Sequence, residues 1–123
     1  MNILLTGCSG FLGKHIQKLR DLDFITVGRR NADVLSDLRR DIPTFQCNLN
    51  CIIHAAGKAH LNPRTLEDYF DFFATNVDGT NNLLKGLDRL SSLPSSFIFI
   101  SSVSVYGLTA GTLIPESAAL KAR

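Results

Sequence analysis

The sequence predicts an α/β protein built on a doubly wound parallel sheet, and three observations carry that prediction. The apolar run Ile3-Leu4-Leu5 leads directly into Gly7, Gly10 and Gly13, the order of a buried strand, a tight turn and a helix start. Short apolar runs then alternate with segments of helical periodicity along the chain. Late in the sequence Phe97-Ile98-Phe99-Ile100 is apolar without a break, as in a parallel strand covered on both faces.

In order, the first strand is followed by a helix expected from about Gly10 to Arg20, whose Phe11, Leu12, His15, Ile16 and Leu19 form a stripe facing the sheet. A second strand, Phe24 to Val27, ends at Gly28. A short link through Arg29-Arg30-Asn31 leads to a third at Ala32 to Leu35, and a brief helical turn is expected from Arg39 to Pro43. The fourth strand spans Leu49 to His54. Asn62-Pro63 marks a loop, and Thr65 and Asp68 have the spacing of a capping box. From there Leu66, Phe70, Phe73, Val77, Leu84 and Leu87 mark one face of a helix reaching Leu90. Ser91 to Pro94 stops it before the fifth strand. The expected strand order is 3-2-1-4-5, which places a ligand across the carboxyl ends of strands 1 and 4.

The bulk numbers bound the class. A chain of 123 residues is read as one domain, long enough to bury about two thirds of the surface it exposes when unfolded. With 45% hydrophobic and 20% charged residues it has an ordinary globular composition. A formal charge of +2 gives no footprint for nucleic acid or an anionic membrane. No apolar run approaches a membrane span, and the first residues lack a leader pattern. Cys8, Cys47 and Cys51 are odd in number and lack zinc-like spacing. They read as reduced packing thiols of a cytoplasmic protein, and no metal site is expected.

The glycine triplet also predicts a ligand. Gly7 permits the turn, Gly10 lets the backbone approach phosphates, and Gly13 allows close packing of helix on strand. The first amides of the helix then face an anion, as a dinucleotide pyrophosphate requires.

Four segments in this order resemble one family: Thr6-Gly7 through Gly10 to Gly13, Ile53-His54-Ala55-Ala56-Gly57, Asn76-Val77-Asp78-Gly79-Thr80, and Ser101 to Gly107. Together they are similar to the extended short-chain dehydrogenase/reductases, the NAD(P)-dependent epimerase/dehydratase family that mostly acts on nucleotide-sugars. The resemblance implies a Rossmann-type domain over residues 1–123, with the sheet truncated after about five strands and the substrate domain absent.

It also implies roles. Gly7, Gly10 and Gly13, with the amides of Phe11 and Leu12, would hold the pyrophosphate. Asp37 would accept from the adenine amine beside Leu38. Ala55, Ala56, Gly57 and Lys58 would line the cofactor. Asn76 would brace the neighbouring strand near the cofactor. Ser102 would be the catalytic hydroxyl that orients the substrate oxygen, with Ser104 beside the substrate. His54 reads as a satisfied structural histidine and His60 as a loop residue. The implied partner is a nucleotide-sugar in the full-length form, and a homodimer would pack through the long helix.

After the second strand an acidic residue would favour NAD, whereas this chain places Gly28-Arg29-Arg30 there. A guanidinium suits a 2′-phosphate, so NADP is expected over NAD, with Arg29 the binding residue. The family's Tyr-x-x-x-Lys pair is missing: Tyr69 is followed at the fourth place by Phe73, and Tyr106 by Ala110. The chain alone is therefore expected to lack turnover. The alternative reading is a non-catalytic dinucleotide-binding module or subunit.

Overall fold

The computed structural model describes residues 1–19, 21–59, 63–108 and 110–121. Five parallel strands form one open sheet: β1 (Ile3–Thr6), β2 (Phe24–Gly28), β3 (Val34–Leu35), β4 (Cys51–His54) and β5 (Ser96–Phe99). Their order is β3-β2-β1-β4-β5, as the alternation of elements predicted. β1 sits at the centre, with Leu4 opposite Ile25 on one side and Ile52 on the other. The crossovers leave β1 in opposite directions, so the carboxyl ends of β1 and β4 part to form a crevice.

The helices are α1 (Phe11–Ile16), α2 (Leu66–Phe73) and α3 (Gly79–Leu87), the last two joined by a π-helical turn, Ala74–Asp78. Thr65 caps α2 as predicted: its hydroxyl accepts from the Asp68 amide at 3.1 Å, and the Asp68 carboxylate accepts from the Thr65 amide at 3.0 Å. The brief turn near residue 39 starts earlier than expected, with Arg40 and Asp41 amides both donating to the Asp37 carbonyl at 2.8 Å. Of the segments read as loop or helix end, Arg20, His60 and Asn62 lie outside the described residues.

One core face is built from Leu4, Val27, Leu49, Ile52, Leu83 and Leu87, all buried, with Ile25, Val34, Leu38, Phe45 and Leu90 packed around them. This corrects the expected helical stripes. Leu83 and Leu87 are buried, while Leu66, Phe70 and Phe73 are exposed, Phe70 at 72%. Val77 and Leu84 are exposed with them, so the expected stripe lies on the solvent side along α2 and into α3, and only its last member, Leu87, reaches the core.

The stripe of α1 is likewise mostly exposed, with Phe11 at 83% and Ile16 half-buried. Six residues rise only about 9 Å, too short to lay a stripe along the strands. After Ile16 the chain tightens, with Lys18 and Leu19 amides donating three residues back. β5 is the poorly covered edge expected of a sheet truncated after five strands, and its apolar run is not covered on both faces. Phe97, Ile98 and Phe99 are all exposed, because no described element packs beyond this edge of the sheet. Cys8 is buried and Cys51 half-buried, but Cys47 is exposed and does not pack.

A buried run of hydrogen bonds crosses the sheet to the helix layer. The Ala56 amide donates to the Thr6 hydroxyl at 3.1 Å, and Thr6 lies 2.6 Å from His54 Nδ1. On the other side His54 Nε2 is 2.9 Å from the Thr80 hydroxyl, which donates to the Asn76 carbonyl at 2.8 Å. A hydroxyl has one hydrogen, and that of Thr80 is used on Asn76. Nε2 therefore donates to Thr80, and Nδ1 accepts from Thr6. Thr6 and His54 are essentially fully buried. Burial pushes the imidazole from 6.5 down to about 4.

Two outcomes follow from these contacts. Above pH 6.5 His54 is neutral folded and unfolded, and the network contributes fully. Between pH 6.5 and 4 the unfolded chain takes up a proton that the folded chain refuses, so stability falls by roughly 1 kcal/mol per pH unit. Urea unfolding across this range should show that slope, and His54→Gln should flatten it; equal slopes would refute the assignment. Secondly, a Cβ at Gly13 would lie 2.8 Å from Cys8 Cα, whereas one at Gly10 would lie 3.3 Å from its nearest atom, the Gly7 carbonyl oxygen. Gly13→Ala should lower stability by about 1–3 kcal/mol through overpacking, and Gly10→Ala by much less, read as unfolding midpoints.

Candidate functional site

The crevice at the carboxyl ends of β1 and β4 is a cleft of about 440 Å³. The turn after β1 contributes Gly7, Cys8, Ser9 and Gly10, and the loop after β4 contributes Ala55, Ala56, Gly57 and Lys58. Gly7 makes this approach feasible. Its φ is +71°, and a Cβ there would lie 2.5 Å from the Ala55 carbonyl oxygen. The two loops are thus held against each other at a separation that only glycine allows.

Across the cleft lie Gly28 and Arg29 at the end of β2, and Ser36, Asp37, Leu38 and Arg39 after β3. The latter segment is docked on α3, where the Asn82 side-chain amide donates to the Leu38 carbonyl at 2.8 Å. Ser36 is buried, and its hydroxyl has no hydrogen-bond partner among the described residues. An unpaired buried hydroxyl costs stability unless something in the cleft meets it.

Four charges meet at this site. Arg39 grips Asp37 with a fork, Nε donating to Oδ1 at 2.9 Å and Nη2 to Oδ2 at 2.7 Å. Its remaining arm, Nη1, donates to Asp71 Oδ1 at 3.1 Å, and Lys58 donates to Asp71 Oδ2. The guanidinium of Arg39 holds the Asp37 carboxyl below the usual range, with the charge of Arg29 adding to the effect. The Lys58 ammonium, and after it Arg39, does the same for Asp71. Lys58 also lies over the Phe72 ring, 5.4 Å from its centroid.

Of the residues singled out in the sequence, Gly7, Gly10, Arg29, Asp37, Leu38, Ala55, Ala56, Gly57 and Lys58 line the cleft. Gly13 stands behind the glycine turn. Phe11 and Leu12 open α1 with side chains exposed, and no side chain caps that helix start. Asn76 lies on the π-helical turn and clamps the backbone of Lys58: its Oδ1 accepts from the Lys58 amide at 2.8 Å, and its Nδ2 donates to the Lys58 carbonyl at 3.1 Å. Ser102 and Ser104 lie outside the cleft lining. Ser102 caps a short 3-10 turn, Val103–Tyr106, accepting from the Ser104 amide at 3.2 Å. The Ile100 amide donates to the His54 carbonyl, so this segment leaves the sheet at the same edge as the cleft.

The sequence reading missed Ser36, Arg39 and Asp71. Ser36 and Arg39 flank Asp37 and could have been found by adjacency. Asp71 could not, because it is one acidic residue on an amphipathic helix until α2 is placed. A second concavity of about 610 Å³ adjoins the cleft through Cys8, Ser9, Gly28 and Arg29, and adds Lys14, Arg30 and Asn31. Its lining is basic, with no carboxylate among the described residues. Asp33, four residues past Arg29, turns back on Thr26, whose amide and hydroxyl donate to it at 2.8 and 2.7 Å.

Comparison with known proteins identifies the family and the fold. The chain is 31% identical over 122 residues to GDP-6-deoxy-D-mannose reductase of Pseudomonas aeruginosa, matching 92% of this chain and 38% of the reductase. The chain therefore spans well under half the length of that relative. Among solved structures, RMD from Pseudomonas aeruginosa complexed with NADPH superposes with a TM-score of 0.70 at 26% identity, over 99% of this chain and 42% of that one. A short-chain dehydrogenase/reductase superfamily protein from Agrobacterium tumefaciens with bound NAD shares the fold at a TM-score of 0.75 and 23% identity, covering 100% of this chain and 40% of its own. The model of the NAD dependent epimerase/dehydratase family matches residues 3–122, and the chain belongs to that family.

Proposed function

We propose that this chain is the dinucleotide-binding part of an enzyme that moves hydride to or from a nucleotide-sugar, with NADP(H) as its preferred cofactor. The single observation that carries the reading is the cleft itself, where a glycine turn after β1 meets the end of β4 at the sheet's switch point. The residues present fit such a group. The Cβ-free cradle at Gly7 and Gly10 leaves room for phosphates, and Ser36 brings a buried hydroxyl in need of a partner.

When bound, the nicotinamide supplies a hydride donor or acceptor at its ring C4. The chain's own contribution is to bind and orient. The amides of Phe11 and Leu12, at the start of α1, donate to the pyrophosphate. Asp37 accepts from the adenine amine beside Leu38. Asn76 fixes the backbone of Lys58 and so the loop after β4. Ser102, at the same edge of the sheet, orients the sugar oxygen, with Ser104 next to it.

The basic concavity supports the preference for NADP(H). Lys14, Arg29 and Arg30 gather where the ribose of a dinucleotide in the cleft would end. Relatives divide on this point, one structure carrying NADPH and another NAD. No Tyr-x-x-x-Lys occurs in these 123 residues. The alternative reading is a dinucleotide-binding module without turnover of its own.

Titration with NADPH and NADH tests the cofactor assignment. NADPH should bind at least 10-fold tighter, and Arg29→Ala should remove most of that difference, since a charge-assisted bond to phosphate contributes about 1.5–3 kcal/mol. Equal affinities, unchanged by Arg29→Ala, would refute the NADP preference. Efficient turnover of a nucleotide-sugar by the pure chain would refute that alternative reading.

A further inference from the structure

We propose that Arg39 and Asp71 are positioning residues for base recognition, Arg39 aiming the Asp37 carboxylate at the exocyclic amine of a purine and Asp71 tying that aim to Lys58 across the cleft. The inference rests on the dinucleotide reading above, and assigns roles to two residues outside the motifs that carried it.

The count of acceptor sites on Asp37 is the starting point. An ionised carboxylate offers about four lone-pair positions. On Oδ1, one accepts from Arg39 Nε at 2.9 Å and a second from the Arg39 amide at 3.2 Å. On Oδ2, one accepts from Arg39 Nη2 at 2.7 Å. Among the described residues no other donor reaches Asp37, so a single position on Oδ2 is left, on a residue that lines the cleft. A bidentate fork fixes the carboxylate plane, so the remaining acceptor has one direction rather than a cone of them. Ser36, one residue earlier, independently marks this end of the cleft as built for a polar ligand, because its buried hydroxyl has no partner among the described residues.

Asp71 extends the arrangement. It accepts from Arg39 Nη1 on one oxygen and from Lys58 on the other, so the segment after β3 and the loop after β4 are tied through one helical carboxylate. The four side chains are between 24% and 36% exposed, with Arg39 at 29%. At that exposure the charges add little to stability, and a role in orientation accounts for their convergence better than one in holding the fold.

The experiment compares NADPH with its hypoxanthine counterpart, in which a carbonyl oxygen replaces the amine that Asp37 would accept from. Dissociation constants are read from nicotinamide fluorescence. The wild-type chain should prefer NADPH by roughly 10-fold to 100-fold, the factor carried by a hydrogen bond to a charged acceptor. Arg39→Met should bring that ratio to within about 3-fold of unity, and Arg39→Lys should not restore it, because a point charge cannot hold both oxygens. Asp71→Asn should lower the ratio in the same direction. A merely structural role would weaken both ligands equally and leave the ratio intact, which would overturn the inference. A full ratio in Arg39→Lys would overturn it also. Wild-type protein that binds both dinucleotides equally would overturn this inference alone, whereas binding of neither would overturn the dinucleotide reading with it.

Discussion

The buried hydrogen-bond run through His54 is the constraint on which the cleft depends. Thr6 ends β1 and His54 ends β4, so their contact fixes the two carboxyl ends that frame the crevice. The Ala56 amide extends the run into the loop after β4, and Thr80 with the Asn76 carbonyl extends it into the helix layer. Every link is an obligate partner of the next, and an imidazole buried without both partners would carry an unmet polar group. The same π-helical turn that presents the Asn76 carbonyl to Thr80 also directs the Asn76 side chain onto Lys58. One short segment therefore joins the sheet, the helix layer and the cleft loop.

Charge is arranged around that neutral framework. Asp37, Arg39, Asp71 and Lys58 balance each other within the cleft, so what a ligand meets is directed hydrogen-bonding capacity. Arg29, Arg30 and Lys14 have no such balance in the adjoining concavity, which leaves it cationic. The proposed dinucleotide with a phosphorylated ribose would meet both halves, its base in the balanced cleft and its phosphate in the cationic concavity.

Much of this was legible from the chain because glycine, strand order and caps are local signals. Gly7, Gly10 and Gly13 mark the turn, the alternation of elements dictates the order of the strands, and Thr65 with Asp68 marks a helix start. What was not legible depends on long-range placement. The period of Leu66, Phe70, Phe73, Val77 and Leu84 marks one face, yet all five are exposed, and periodicity holds no information on whether another element covers that face. The apolar run at β5 by itself reads as a strand covered on both faces, whereas a sheet truncated after five strands leaves it as the poorly covered edge that is observed. Asp71 gains its meaning from residues 32 and 13 positions away, and no local pattern announces such a contact.

The central claim is that a dinucleotide lies across the carboxyl ends of β1 and β4 with its phosphates on the glycine turn. An amide-resolved NMR titration with NADPH tests this most directly. Saturable shifts at the amides of Gly7 to Gly13 and Ala55 to Lys58, with a second group around Arg29 and Asp37, are expected. Shifts confined to the exposed faces of α2 or β5, or no saturable shifts at all, would contradict it.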